Sequence, residues 1–129
     1  MLSTTTSARP DLAAYRRSVE FPFPDLAQQL VGVLGKKLTA YVGGLKQART
    51  VDGWIAGAQP YGDAEDRIRA TYRIASMLAE RLPASSVQRW FTGMNPDLGD
   101  QVALQLLRHG GIDERRRVLE AAIAYLAQG

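Results

Sequence analysis

The sequence predicts an all-α fold: a compact helical domain in which a helix-turn-helix is followed by a C-terminal helical subdomain. Apolar residues recur at helical spacing in several segments of the chain. Glycines and prolines separate these segments, and no segment alternates apolar and polar residues as a half-buried strand does. The chain has 129 residues, which is enough for one core and too few for two that each bury much surface. We therefore expect one shared core.

Composition narrows the possible functions. The chain has no cysteine and one histidine, so disulfides, thiolate metal sites and an all-imidazole zinc site are excluded; we expect no metal and no cofactor. Residues 1–10 lack the apolar segment of a signal peptide, and no apolar run approaches the roughly 20 residues of a membrane span. These features favour a cytoplasmic protein that does not insert into a membrane. The formal net charge of +3 is too small to indicate nucleic-acid binding by itself.

Residues 1–24 are predicted to form an N-terminal arm with a short helix around residues 12–19. Pro22 and Pro24 alternate with phenylalanines, a pattern that forbids both a helix and a central strand there. Asp25 is a suitable N-cap for the first core helix. The apolar stripe of this helix is Leu26, Leu30, Val33 and Leu34.

Two short helices then form the predicted helix-turn-helix, within a region that covers residues 25–83. The first spans residues 37–42 and ends at Gly43-Gly44, which allows a left-handed turn. The second begins at Thr50, which would cap it, and ends near Gly57. In such a motif the second helix can enter a DNA major groove about 12 Å wide. Its expected core positions are Val51, Trp54 and Ile55.

The longest helix is predicted over residues 63–82, because apolar side chains form a continuous stripe there and Pro83 ends it. The C-terminal region covers residues 84–129. Its predicted elements are a helix capped by Ser85 or Ser86 and ended by Gly93, a loop over 94–100, a helix over 102–108 stopped at Gly110-Gly111, and a last helix capped by Asp113.

Side chains that donate hydrogen bonds cluster where the second short helix begins, which is where base edges and phosphates would be met. The positive charge lies in the same part of the chain: residues 25–59 hold four basic and two acidic groups, whereas residues 60–129 hold nine of each. The candidate DNA contacts are Lys36, Lys37, Lys46, Gln47, Arg49 and Thr50.

Residues 49–57 read R-T-V-D-G-W-I-A-G, which resembles the R-T-V-x-x-W-x-x-G recognition-helix pattern of Xre-type regulators. Asp52 and Gly53 depart from it, because many such helices carry basic or polar side chains at these positions. Asp52 repels phosphate, and Gly53 costs the helix about 1 kcal/mol relative to alanine. The segment 44–51 is also one residue longer than usual. Functional DNA binding and a retained, inactive fold both stay open.

Residues 87–107 carry a longer motif, V-Q-R-W-F-T-G-M-N-P-D-L-G-D-Q-V-A-L-Q-L-L. It resembles the W-x-x-x-x-N-P-x-L-G-x-x-x-P-x-x-L-L signature of the Xre/MbcA/ParS toxin-binding domain, with Ala103 where the family usually has proline. The matching residues are Trp90, Asn95, Pro96, Leu98, Gly99, Leu104 and Leu107. Structural roles are expected for Trp54, Trp90 and the N-P-x-L-G residues: Asn95-Pro96 fixes a turn, Leu98 fastens it to the core, and Gly99 allows a positive φ.

Together the two resemblances imply a non-enzymatic antitoxin of the Xre/MbcA/ParS-like family. Such a protein neutralises a RES-domain, NAD-consuming toxin by direct steric binding and can repress its own operon through operator DNA, as a homodimer or in a complex with the toxin. The alternative is a stand-alone transcriptional regulator or nucleoid-associated protein without a toxin. The candidate toxin contacts are Arg89, Phe91, Met94, Tyr125, Leu126, Gln128 and Gly129.

Three further features have ordinary structural explanations beside functional ones. The apolar end of the last helix suits either core packing or a groove of a partner. His109 is expected to meet carbonyl groups at a helix end and not to be catalytic. Arg115-Arg116-Arg117, near the start of the last helix, is either a solvated face or a contact for a phosphate or an acidic partner.

Overall fold

A computed structural model describes residues 10–128 of the chain, with side chains from residue 12 onward. This part forms eight α-helices, one 3-10 turn and a two-stranded ribbon, so the all-α prediction is confirmed. The helices are α1 (Pro10–Glu20), α2 (Phe23–Leu34), α3 (Lys36–Val42), α4 (Thr50–Ile55), α5 (Ala64–Ala79), α6 (Ala84–Thr92), α7 (Ala103–His109) and α8 (Ile112–Gln128). Between α6 and α7 lie β1 (Met94–Asn95), the 3-10 turn (Pro96–Leu98) and β2 (Gln101–Val102).

One core joins the whole described chain, as expected. Helix α5 occupies its centre and contacts α1, α2, α3, α6, α7 and α8. Buried apolar residues extend without a break from Ala14 on α1 to Ala122 on α8. The largest side chains with almost no exposure are Phe91, Leu26, Leu30, Ile68, Ile74, Met77, Leu78, Leu98 and Leu107.

The start of α2 corrects the expectation that residues 21–24 exclude a helix. Phe23 and Pro24 form the first turn of α2, and Asp25 lies inside that turn instead of capping it. Proline is tolerated in this turn because its missing N–H would have no partner within the helix. Helix α1 packs along α5, where Arg69 Nη1 donates to the backbone carbonyls of Ser18 (2.9 Å) and Phe21 (3.0 Å).

The predicted caps are wrong in the same way: each named residue lies at or inside its helix. Thr50 is the first residue of α4, and the residues that precede α4 and α6 are Arg49 and Pro83, neither of which makes a capping side-chain bond. Ser85 and Ser86 lie within α6, and Asp113 within the first turn of α8. The start of α8 is tied instead by Glu114 Oε1, which accepts from the Gly111 N–H at 2.7 Å.

Helix α5 is also shorter than predicted, so that α8, with 17 residues, is longer than α5, with 16. The backbone leaves the helix after Ala79, and residues 80–82 form a turn before Pro83. Proline disfavours helical geometry in the residue that precedes it. Within residues 10–128, no helix is long and apolar enough to cross a membrane.

Candidate functional site

Helices α3 and α4 form the helix-turn-helix, and the turn between them is held by a close backbone approach. The ring of Trp54, 3% exposed, lies against Gly43 so tightly that a Cβ there would stand 2.4 Å from Cη2. Gly44 takes the predicted positive φ, +79°. Val51 and Trp54 are buried and Ile55 is half-buried, which confirms the first two as core residues.

Arg67 fastens this turn to the central helix, a role that the sequence did not indicate. Its Nε donates to the carbonyl of Val42 (3.1 Å) and its Nη2 to that of Gly43 (3.0 Å). Its Nη1 pairs with Asp63 one helical turn earlier. This hydrogen bond and the charge of Arg67 hold the pKa of the Asp63 carboxyl below its usual value. Arg67, whose side chain is only 13% exposed, therefore links the helix-turn-helix to α5 through hydrogen bonds.

The six candidate DNA contacts are all exposed, and four of them line two different hollows of the surface. Lys37 and Lys46 line the same hollow, of about 350 Å³. Arg49 and Thr50 border a different and larger one, of about 910 Å³. Gln47 lies beside Arg49 and accepts a hydrogen bond from its Nε at 2.8 Å.

Lys36 is paired within the motif. Its Nζ lies 2.8 Å from Oδ1 of Asp52 on α4, and both side chains remain about half exposed. The pair cancels one positive charge where a phosphate would approach, since opposite charges at this distance largely neutralise each other's field. Lys37, Lys46 and Arg49 thus supply the net positive charge of this surface, because the carboxylate of Asp52 neutralises the charge of Lys36.

The N-P-x-L-G segment adopts the conformation that its sequence predicts, inside a small ribbon. β1 pairs antiparallel with β2 through Met94 opposite Val102 and Asn95 opposite Gln101. The side chain of Asn95 accepts from the Asp97 N–H at 3.0 Å. Leu98 is 1% exposed, and the φ of Gly99 is +63°. The segment expected as a loop is therefore a hydrogen-bonded turn closed by two short strands.

The exposed contacts predicted around this turn divide into two groups. Met94 is 77% exposed, and Arg89 is exposed on α6, where its Nη2 donates to Ser86 Oγ at 3.1 Å. Phe91 is instead fully buried, and the half-buried Trp90 ring meets it edge-on at 5.2 Å. The prediction that Phe91 is a surface contact is wrong, because Phe91 lies on the α6 face that also carries the buried Val87.

Two hydrogen bonds from arginine side chains hold α8 against neighbouring elements, one in the first half of the helix and one near its C-terminal end. Arg117 Nη2 contacts Gln101 Oε1 at 3.2 Å, next to the N-P-x-L-G turn. Arg81 Nη1 donates to the carbonyl of Leu126 at 2.8 Å near the other end. Tyr125 is 41% exposed, Leu126 half-buried and Gln128 exposed; Gly129 lies outside the described residues.

A groove between α5 and the start of α8 was not predicted as a site. It has a volume of about 310 Å³, and we call it the arginine groove because Arg73, Arg115 and Arg116 line it. Apolar side chains form the rest, among them Ile74, Ile112 and Leu119. The basic run at 115–117 was its one sequence signal. The sequence did not indicate a role for Arg73, because its position near Arg115 and Arg116 depends on how α5 and α8 pack against each other.

His109 lies at the end of α7, as predicted, and its ring meets Tyr41 edge-on at 6.4 Å. Among residues 12–128, no three Asp, Glu or His side chains lie close enough together to hold a metal ion. Comparison of the chain with family models, curated proteins and solved structures found no match.

Proposed function

We propose that this chain is a non-enzymatic antitoxin that neutralises a RES-type, NAD-consuming toxin by binding it through residues 84–129. The observation that carries the proposal is the N-P-x-L-G turn. Asn95, Leu98 and Gly99 of the motif that carries the resemblance perform the structural tasks that their residue types predict. They lie beside Met94, which is 77% exposed on the first strand of the ribbon. Methionine suits such a contact because its flexible, polarisable side chain adapts to a partner surface.

A preformed surface favours the steric inhibition that the resemblance implies. Arg117 joins α8 to the turn, and Arg81 holds the carbonyl of Leu126 near the end of α8. Tyr125, 41% exposed, lies eight residues beyond Arg117, about 12 Å along the helix. A partner that binds these groups meets a backbone that is already held in place by these hydrogen bonds, so little backbone has to be ordered on docking and the entropic cost of association is lower.

The proposal is tested by co-expressing the chain with a RES-domain toxin encoded beside its gene, while growth and cellular NAD are measured. The wild-type chain should restore both. Met94→Glu should abolish rescue, because it places a charge in an apolar contact without disturbing the core. Gln28→Glu is the matched control: it adds the same charge at an exposed position of α2, and it should rescue fully. Equal rescue by both variants would show that Met94 does not contact the toxin. No rescue by the wild-type chain would contradict the proposed antitoxin function.

Operator binding by the helix-turn-helix is a second function, and the exposure of Lys37, Lys46 and Arg49 favours it. In a gel shift with DNA from upstream of the gene, Arg49→Ala should weaken binding by about 1 to 3 kcal/mol if Arg49 meets a base. A phosphate contact should cost less and fade as salt rises. Asp52→Asn should strengthen binding, because it releases the charge of Lys36.

The control for the DNA experiment is Arg89→Ala, which removes an exposed arginine from α6 and should leave the gel shift unchanged. Equal weakening by Arg89→Ala and Arg49→Ala would mean that only overall charge matters. DNA binding without any toxin binding would instead favour a stand-alone regulator.

A further inference from the structure

The arginine groove holds two polar atoms for which folding provides no partner. The Nε atoms of Arg73 and Arg115 are buried, and neither has a hydrogen-bond partner among the described residues. Buried polar groups in folded proteins are almost always hydrogen-bonded, so two unpaired donors in one groove call for a specific explanation. Because the Nε atoms themselves are buried, a ligand in the groove would meet these two guanidinium groups through their Nη atoms.

Two of the three arginines in the groove are each paired with a carboxylate, which leaves Arg73 as the source of its net positive charge. The guanidinium of Arg73 lies 4.9 Å from the centre of the Tyr15 ring, and no ion pair to Arg73 is found within residues 12–128. Arg115 Nη2 lies 3.8 Å from Asp63. Arg116 Nη2 lies 3.6 Å from Asp113, and both of these side chains are mostly exposed. The Arg116 pair is a surface pair and contributes little to stability, whereas the Arg115 side chain is only 19% exposed.

The chemistry of the groove favours an oxyanion. The guanidinium group presents its N–H donors as a planar fork that fits the two oxygens of a carboxylate or a phosphate. Arg115 and Arg116 also lie in the first turns of α8, where the helix dipole disfavours positive charge. Helix stability therefore does not account for these arginines, whereas an anionic ligand does.

Exposed apolar side chains at the groove and further along α8 favour an anion that is part of a protein. Ile112, at the lip, is 71% exposed, and Ile123, on the same face of α8, is 44% exposed. The two are about 16 Å apart along the helix. Tyr15 of α1, 47% exposed, flanks Arg73. A free phosphate or a nucleic-acid backbone would leave these apolar groups in water, whereas an acidic amphipathic helix would cover them and pair with the arginines.

We propose that the arginine groove binds an acidic amphipathic helix of a partner protein, whose carboxylates meet Arg73 and Arg115 and whose apolar side chains cover Ile112 and Ile123. This inference goes beyond the proposed function, because the partner need not be a toxin.

The test uses the full chain and a fluorescein-labelled, end-capped 18-residue peptide. The peptide has leucines at i, i+4, i+7 and i+11, glutamates beside them and alanine elsewhere; its match has glutamine for each glutamate. The wild-type chain should bind the glutamate peptide about tenfold more tightly or better, because a hydrogen bond to a charged group contributes about 1.5 to 3 kcal/mol. The double variant Arg73→Gln/Arg115→Gln should lose this preference. Arg115→Lys keeps the positive charge and loses the planar pair of guanidinium N–H donors, so it should weaken the preference for the glutamate peptide.

Lys37→Gln, which removes one charge from exposed α3, should retain the preference; its loss would mean that overall charge suffices and would overturn the proposal. Equal binding of both peptides by the wild type, or unchanged selectivity in the double variant, would also overturn it.

Thermal unfolding provides the second measurement. The double variant should melt no lower than the wild type, because it removes two unpaired buried donors, and a clear fall in Tm would make the arginines structural. A dimer in sedimentation that the double variant dissociates would identify a second copy as the occupant and contradict the proposal.

Discussion

The ring of Trp54 meets the backbone of Gly43 at the turn of the helix-turn-helix, with Cη2 only 2.4 Å from where a Cβ of residue 43 would stand. The φ of Gly43 is an ordinary −76°. The restriction at this position is therefore steric. It couples the end of α3 to a side chain of α4, so the relative placement of the two helices depends on the absence of one methyl group.

We therefore expect Gly43→Ala to lower the free energy of unfolding by about 1 to 3 kcal/mol, the usual cost of overpacking a core. Gly32→Ala is the matched control. It adds the same methyl to exposed α2, where nothing lies within 4 Å of the new Cβ. It should stabilise the protein by about 0.5 to 1 kcal/mol, because alanine favours helices over glycine. Urea unfolding measures both, and a Gly43→Ala protein as stable as the wild type would contradict the close approach.

Phe91 and Met94 should separate stability from recognition, although they are close in sequence. Phe91→Ala removes a fully buried ring and should cost about 3 to 5 kcal/mol of unfolding free energy. Met94→Ala trims a side chain that is 77% exposed and should change stability by no more than about 0.5 kcal/mol. The same urea titrations decide this, and comparable losses for the two variants would show that Met94 also packs in the core.

The ion pair between Asp63 and Arg67 should make the stability of the helix-turn-helix depend on pH in the acid range. Because Arg67 lowers the pKa of Asp63 in the folded state, the charged carboxylate stabilises the fold. This contribution is complete above the ordinary pKa, near 4, and is lost as the pH falls through the lower folded value.

Asp63→Asn should accordingly lower Tm at pH 7, and its difference from the wild type should shrink as the pH is taken below about 4. Asp66→Asn is the control, since Asp66 is also exposed at the start of α5 and makes no ion pair among the described residues. It should show a smaller difference at pH 7. A Tm difference for Asp63→Asn that does not vary between pH 7 and pH 3 would exclude the carboxylate as its cause.

Features set by neighbouring residues could be predicted from the sequence. The positive φ of Gly99, the Asn95 turn and the burial of Leu98 all depend on side chains within a few positions of each other. The start of α2 was missed although it is also local, because the rule against proline in helices was applied to a first turn, where proline fits.

Features set by the packing of distant helices could not be predicted. The burial of Phe91 does not belong to this class, because Val87 and Phe91 are four residues apart and share one apolar face of α6, a pattern that the sequence already contained. The arginine groove requires Arg73 of α5 to meet Arg115 of α8. Likewise, the brace from Arg67 to the Gly43 carbonyl joins residues 24 positions apart. No local pattern encodes contacts of this kind.

The central claim, direct neutralisation of a toxin, is tested most directly with purified components. NAD consumption by a RES-domain toxin is followed while the chain is added in increasing amounts. The proposal predicts that the rate falls linearly and stops near a fixed stoichiometric ratio, and that Met94→Glu shifts the titration to much higher concentrations. A rate that stays constant with excess chain would contradict the proposal.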